Sequence, residues 1–159
     1  MVNQLNEIHI VVPGNPVGKG RPRAYQTRGP RRTIKMHTPE KTRAYEDAVA
    51  LAGKLAMKGR EPLGGPVAMR LNIYMPIPAS WSKAKREAAL LGGVMPISKP
   101  DSSNVLKSVE DALNGIAYID DSQIIDVWVR KRYSHDPRIE LEIVSTLTPD
   151  SGPAYSSTT

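Results

Sequence analysis

Apolar residues fall at every second position in some stretches of this chain and at helical spacing in others. Ile8, Ile10 and Val12 share one face and predict a strand over 5–12, which Pro13-Gly14-Asn15-Pro16 stops. Val67, Met69, Leu71, Ile73 and Met75 alternate with Arg70, Asn72 and Tyr74, the mark of a half-buried strand over 66–75. Residues 124–133 and 138–147 predict two further strands, joined by a turn at His135-Asp136-Pro137. Thr38-Pro39-Glu40 reads as a helix start, with threonine as cap and proline in the first turn. The helix it opens is expected over 39–58, with Tyr45, Ala48, Val49, Ala52, Leu55 and Ala56 on its apolar face. A shorter helix over 80–91 begins at Ser80 or Ser82 and ends at Gly92-Gly93, and a third over 102–114 closes at Asn114-Gly115. Gly18 to Arg32 is rich in Gly, Pro and Arg and predicts a loop or loose hairpin, with a short strand at 33–37 after it. The order strand, helix, strand, helix, helix, strand, strand implies an α+β fold class: a single mixed β-sheet with helices packed on it.

A chain of 159 residues fits one domain, taken as 1–147, with the Pro-, Gly-, Ser- and Thr-rich 148–159 expected to be a disordered tail. The absence of cysteine excludes disulfides, thiolate nucleophiles and Cys-ligated zinc, and His9, His37 and His135 have no zinc-like spacing. There is no signal-peptide pattern and no apolar run near the roughly 20 residues that span a bilayer, so a soluble, cytoplasmic protein without a membrane partner is expected.

Charge changes the picture more. The formal net charge is +6, and from Lys19 to Arg43 nine basic residues are opposed only by Glu40. So lopsided a cluster reads as a phosphate-contacting surface, with Lys19, Arg21, Arg23, Arg28, Arg31 and Arg32 as candidate contacts. Tyr25, within it, could stack on a base.

The third helix carries the candidate chemistry. On a helical projection Val105, Leu106, Val109, Ala112 and Leu113 share one arc, while Ser103, Asn104, Lys107, Glu110, Asp111 and Asn114 share the other. A polar row is ordinarily solvated surface, but its flanks add carboxylates: Asp101 at the helix start and Asp120-Asp121 in the turn beyond. A short loop can bring Asp101 and Asp121 near one another. Paired carboxylates repel unless a cation lies between them, and oxygen ligands suit Mg²⁺ or Mn²⁺. Lys107 could then contact a phosphate. Taken singly, Asp120-Asp121 also suits a plain turn and Lys107 a solvated helix face.

The segments Gly14-Asn15-Pro16-Val17-Gly18-Lys19-Gly20-Arg21-Pro22-Arg23, Thr38-Pro39 with Tyr45-Glu46, and above all Lys99 to Gln123 (KPDSSNVLKSVEDALNGIAYIDDSQ) resemble the RusA family of Holliday-junction endonucleases of phages and prophages. The resemblance implies nicking of four-way DNA junctions by a homodimer with Mg²⁺ or Mn²⁺, in recombination and repair. It matches Asp101 and Asp121 to metal-binding catalytic aspartates and Lys107 to the essential lysine. Asp120 is a further candidate ligand, and Lys99 and Asn104 join the candidate DNA contacts. One position departs: Ser103 stands where the family has an aspartate, and a neutral hydroxyl is a poor Mg²⁺ ligand. Three readings follow: an inactivating change, a site working with fewer carboxylates through water or Asp120, or partial replacement by Glu110. The first gives the alternative function of a catalytically impaired branched-DNA binder. Serine also suits a helix N-cap, which would account for Ser102 or Ser103 without any site.

Overall fold

The computed structural model describes residues 7–146. Leu5 and Asn6 of the first predicted strand, Leu147 of the last, and the predicted tail lie outside the described residues. Alternation gives β1 (Glu7–Pro13), β4 (Val67–Pro76), β5 (Ile124–Ser134) and β6 (Arg138–Ser145). They form one mixed sheet in the order β1-β6-β4-β5, in which only the β4–β5 pair is parallel. Parallel neighbours need a crossover, and this one carries α2 (Lys83–Leu90) and α3 (Ser102–Leu113). The basic segment forms a hairpin of its own, β2 (Arg23–Gln26) against β3 (Ile34–His37), a second, two-stranded sheet.

The core lies between one sheet face and α1 (Glu40–Met57) with α3. Leu71, Ile73, Ile139 and Ile143 meet Val49, Val105, Val109 and Leu113, all fully buried. Each such side chain contributes roughly 1.5–3 kcal/mol of transfer free energy. The opposite face of the β4–β6 pair is polar, with Arg70 beside Glu142 and Asn72 beside Glu140.

Three expectations need correction. Ala48 and Leu55 do not face the core; α1 buries Thr42, Tyr45, Val49, Gly53 and Met57, and Leu55 is exposed. The inward stripe runs through a threonine and a glycine, which an apolar pattern passes over. Thr38 does not cap α1: Pro39 holds that place with no side-chain bond, and its carbonyl accepts from Thr42 and Arg43. Asp101, not Ser102 or Ser103, stands at the start of α3, and both serines lie within the helix. Ser82 does cap α2, its hydroxyl accepting from the Lys85 amide at 3.3 Å.

Gly53 lets α1 pack closely on α3, because a Cβ there would collide with the Leu113 side chain. Gly53→Ala is therefore expected to lower stability by about 1–3 kcal/mol despite alanine's better helix propensity. Urea denaturation measures it, and a stabilised variant would contradict this packing.

Candidate active site

Four segments converge on the polar row of α3: the strap Val17–Gly20, the N-terminal half of α1, the loop 114–123, and β5. The strap approaches because it has glycines. A Cβ on Gly18 would press on Asn104 and Pro100, and one on Gly20 would clash with Pro39 and Thr42. The Lys19 amide donates to the Asn104 carbonyl at 2.8 Å, and the Gly20 amide to the Thr42 hydroxyl at 3.1 Å.

So held, Lys19 turns its ammonium inward, to Glu46 of α1 at 2.6 Å and Asp111 of α3 at 2.7 Å. The other Asp111 oxygen takes Lys107 at 3.1 Å, and Lys107 also reaches Asp121 at 3.2 Å and Glu110 at 3.9 Å. Burial pushes the Asp111 carboxyl up, but the bonds from Lys19 and Lys107 outweigh it and hold it below its ordinary range. Burial alone would lower Lys19; Asp111 and Glu46 raise it instead. Lys107 is raised, chiefly by Asp111 and then by Asp121. Glu110 is raised by burial, and Asp121 and Asp111 add to it, so it favours its neutral form more than an ordinary glutamate.

The three candidate aspartates have different partners. Asp120 is occupied as a cap of the 3-10 turn Asp121–Gln123, where its oxygen accepts from the Ser122 amide at 3.3 Å. That bond is the largest cause of its lowered pKa. Gln123 returns the bond, accepting from the Asp120 amide at 2.8 Å, and donates to the carbonyls of Leu63 and Gly65. Asp121 is left facing Lys107. Asp101 lies at the other end of α3, where the Asn104 amide donates to it at 3.3 Å. Among the described residues no three His, Asp or Glu side chains gather into a metal-binding group. Ser103 is exposed beside Asp101, and no side-chain bond of its hydroxyl is formed among the described residues.

Lys131 was not anticipated as a site residue. It pairs with Ile73 on the core-facing register of β5, and its ammonium donates to the carbonyls of Ser98 and Pro100, fixing the entry to Asp101. Burial lowers its pKa, with Asp101 acting in the opposite sense. A lysine at an apolar position of a strand was the available signal. Of the candidate DNA contacts, Lys19 is committed to carboxylates and the Asn104 amide donates to Asp101, while Arg21, Arg23, Arg28, Arg31, Arg32 and Lys99 are exposed.

This geometry sorts the lysine from the arginines. Lys19→Met leaves Glu46 and Asp111 part-buried without their shared cation, an expected cost of about 1–3 kcal/mol. Arg21→Ala on the open surface is expected to stay within about 0.5 kcal/mol. Paired urea melts check this; equal, small effects would mean that Lys19 is not a structural clamp.

The comparisons agree with the motif. The chain is similar to an uncharacterized protein, YqaN, of Bacillus subtilis (strain 168), at 40% identity over 138 residues, 86% of this chain and 94% of that one. The family model for the endodeoxyribonuclease RusA matches residues 13–144, from the end of β1 into β6. The family match takes in the strap, the hairpin, α3 and the Asp120-Asp121 turn, and the chain belongs to the RusA endodeoxyribonuclease family.

Proposed function

We propose that the chain is a metal-dependent endonuclease that resolves four-way DNA junctions as a homodimer. The observation that carries this reading is the lysine of the family motif held against carboxylates of two elements, Asp111 of α3 and Asp121 of the turn before β5, with Asp101 at the start of the same helix. Lys19 and Lys107 meet the carboxylates Glu46, Asp111 and Asp121, so the cluster keeps a net negative charge even with Glu110 neutral. Oxygen donors with residual negative charge fit Mg²⁺ or Mn²⁺. Asp101 and Asp121 would hold the ion, with Ser103 at the place of a third carboxylate and Asp120 less free because of its cap. When bound, the ion supplies an activated water and polarises the phosphodiester. Lys107 offsets phosphate charge at the cut, and Lys99 with the arginines of the basic segment grips the backbone without reading sequence.

The homodimer is assigned to the outer edge of β5. This edge strand has eleven residues, with Ile125 65% and Trp128 43% exposed. A long apolar edge invites strand pairing. Antiparallel pairing of two copies about Trp128 would set Asp126 of each opposite Arg130 of the other, a self-complementary charge pattern as two-fold symmetry requires. Val127→Asp, in the middle of that edge, is expected to convert a dimer to a monomer in sedimentation. A monomeric parent chain at the same concentration would refute the interface.

A second reading, a branched-DNA binder with little turnover, rests on Ser103. The experiment is a labelled four-way junction with Mg²⁺ or Mn²⁺, incubated with this chain, with Ser103→Asp and with Asp101→Asn. Symmetric nicks from this chain, faster with Ser103→Asp and lost with Asp101→Asn, are expected. Binding without nicks, with cleavage only after Ser103→Asp, selects the second reading. Duplex bound as tightly as the junction, with no variant cutting, rules out both.

A further inference from the structure

The β2–β3 hairpin is a ribbon with two unlike faces. Its register pairs Arg23 with His37 and Tyr25 with Lys35 on one face, and Ala24 with Met36 and Gln26 with Ile34 on the other. All eight strand residues are exposed, with Ile34 at 70% and Met36 at 64%. Beyond the ladder the Thr27 amide donates to the Thr33 carbonyl at 3.0 Å and the two threonine hydroxyls meet at 2.8 Å, closing a tip that carries Arg28, Arg31 and Arg32. From Gly14 to Pro39 there is no acidic residue.

A two-stranded ribbon with an uncovered apolar face is only marginally stable alone, so the face calls for a partner. The surrounding charge states its chemistry. A basic or neutral protein surface would be repelled or left without pairing, and a second hairpin of this chain would oppose arginine to arginine. Nucleic acid offers backbone anions within reach of the tip and apolar base faces within reach of Ile34 and Met36. Ribbons of this width enter DNA grooves, and exposed Ile or Met side chains wedge into base steps that are already weakly stacked.

We propose that the β2–β3 hairpin is an inserting arm, whose arginine tip takes phosphates while Ile34 and Met36 cover bases unstacked at the branch point. This rests on the junction-binding reading and goes further, because it separates electrostatic grip from base opening within one ribbon. The test uses the full chain in EDTA with two four-way junctions. One carries 2-aminopurine at the branch and the other carries it deep within an arm. Binding is expected to raise the branch signal several-fold and leave the arm signal unchanged. Ile34→Gln with Met36→Gln should abolish the rise and weaken binding several-fold while its salt dependence stays unchanged. Arg31→Ala with Arg32→Ala should weaken binding and flatten the slope of log K against log salt by about two, at roughly 0.9 per lost phosphate contact. Because all four side chains are exposed, the variants should melt with the parent chain. A rise that survives Ile34→Gln/Met36→Gln, or one that appears equally within the arm, overturns the inserting arm but leaves junction binding standing. Failure of the parent chain to bind the junction overturns both.

Discussion

The Asp111 carboxylate, held between Lys19 and Lys107, is the joint on which the rest of the site depends. It ties the strap to α3 through Lys19, α1 through Glu46, and the turn before β5 through Lys107 and Asp121. Part-buried charges are costly unless each meets a partner, so the cluster holds only in this arrangement. Closeness is a backbone matter as well as an electrostatic one. Gly18 and Gly20 let the strap lie against Asn104 and Thr42, and without that approach the Lys19 ammonium could not span the two helices.

The elements with regular apolar spacing were legible. β4 is as its alternation predicts, α3 buries the arc that Val105, Val109 and Leu113 mark, and the basic segment is the hairpin allowed for it. The inward face of α1 was not legible, because close packing at Gly53 and Thr42 leaves no hydrophobic signal. The parallel β4–β5 pairing was not specified either; alternation gives a strand its faces but not its neighbours. In the site, Asp101, Lys107 and Asp121 stood out through the family motif. Lys19 reads as a phosphate contact because its charge matches its arginine neighbours, and nothing local to the sequence says that Glu46 and Asp111 wait for it across two helices. Lys131 was legible in principle, as a cation on the core-facing side of a strand.

Much of the motif from Lys99 to Gln123 is scaffold. Asp120 and Gln123 cap each other and fasten the turn to the 63–65 loop, Gly115 takes φ +76° after α3, and Tyr118 is buried with its hydroxyl donating to the Glu110 carbonyl at 2.9 Å. These bonds put Asp121 in front of Lys107 whether or not the chemistry runs. Ser103 belongs to the other part of the motif, exposed on the first turn of α3. The fold therefore tolerates serine there at little cost.

Charge is divided in the same way between the body and the hairpin. In the body Lys19 and Lys107 are paired with carboxylates and Lys131 with carbonyls, so these lysines are held in place. In the hairpin Arg23, Arg28, Arg31 and Arg32 form no ion pair among the described residues. A lysine already paired with carboxylates offers less net charge to a distant anion than an unpaired arginine does, so the uncompensated positive charge is concentrated in the hairpin. That Lys19 is paired while Arg21, two residues on, is exposed depends on the glycines beside Lys19, whose missing side chains let the strap lie against Asn104 and Thr42 and bring the ammonium to Glu46 and Asp111.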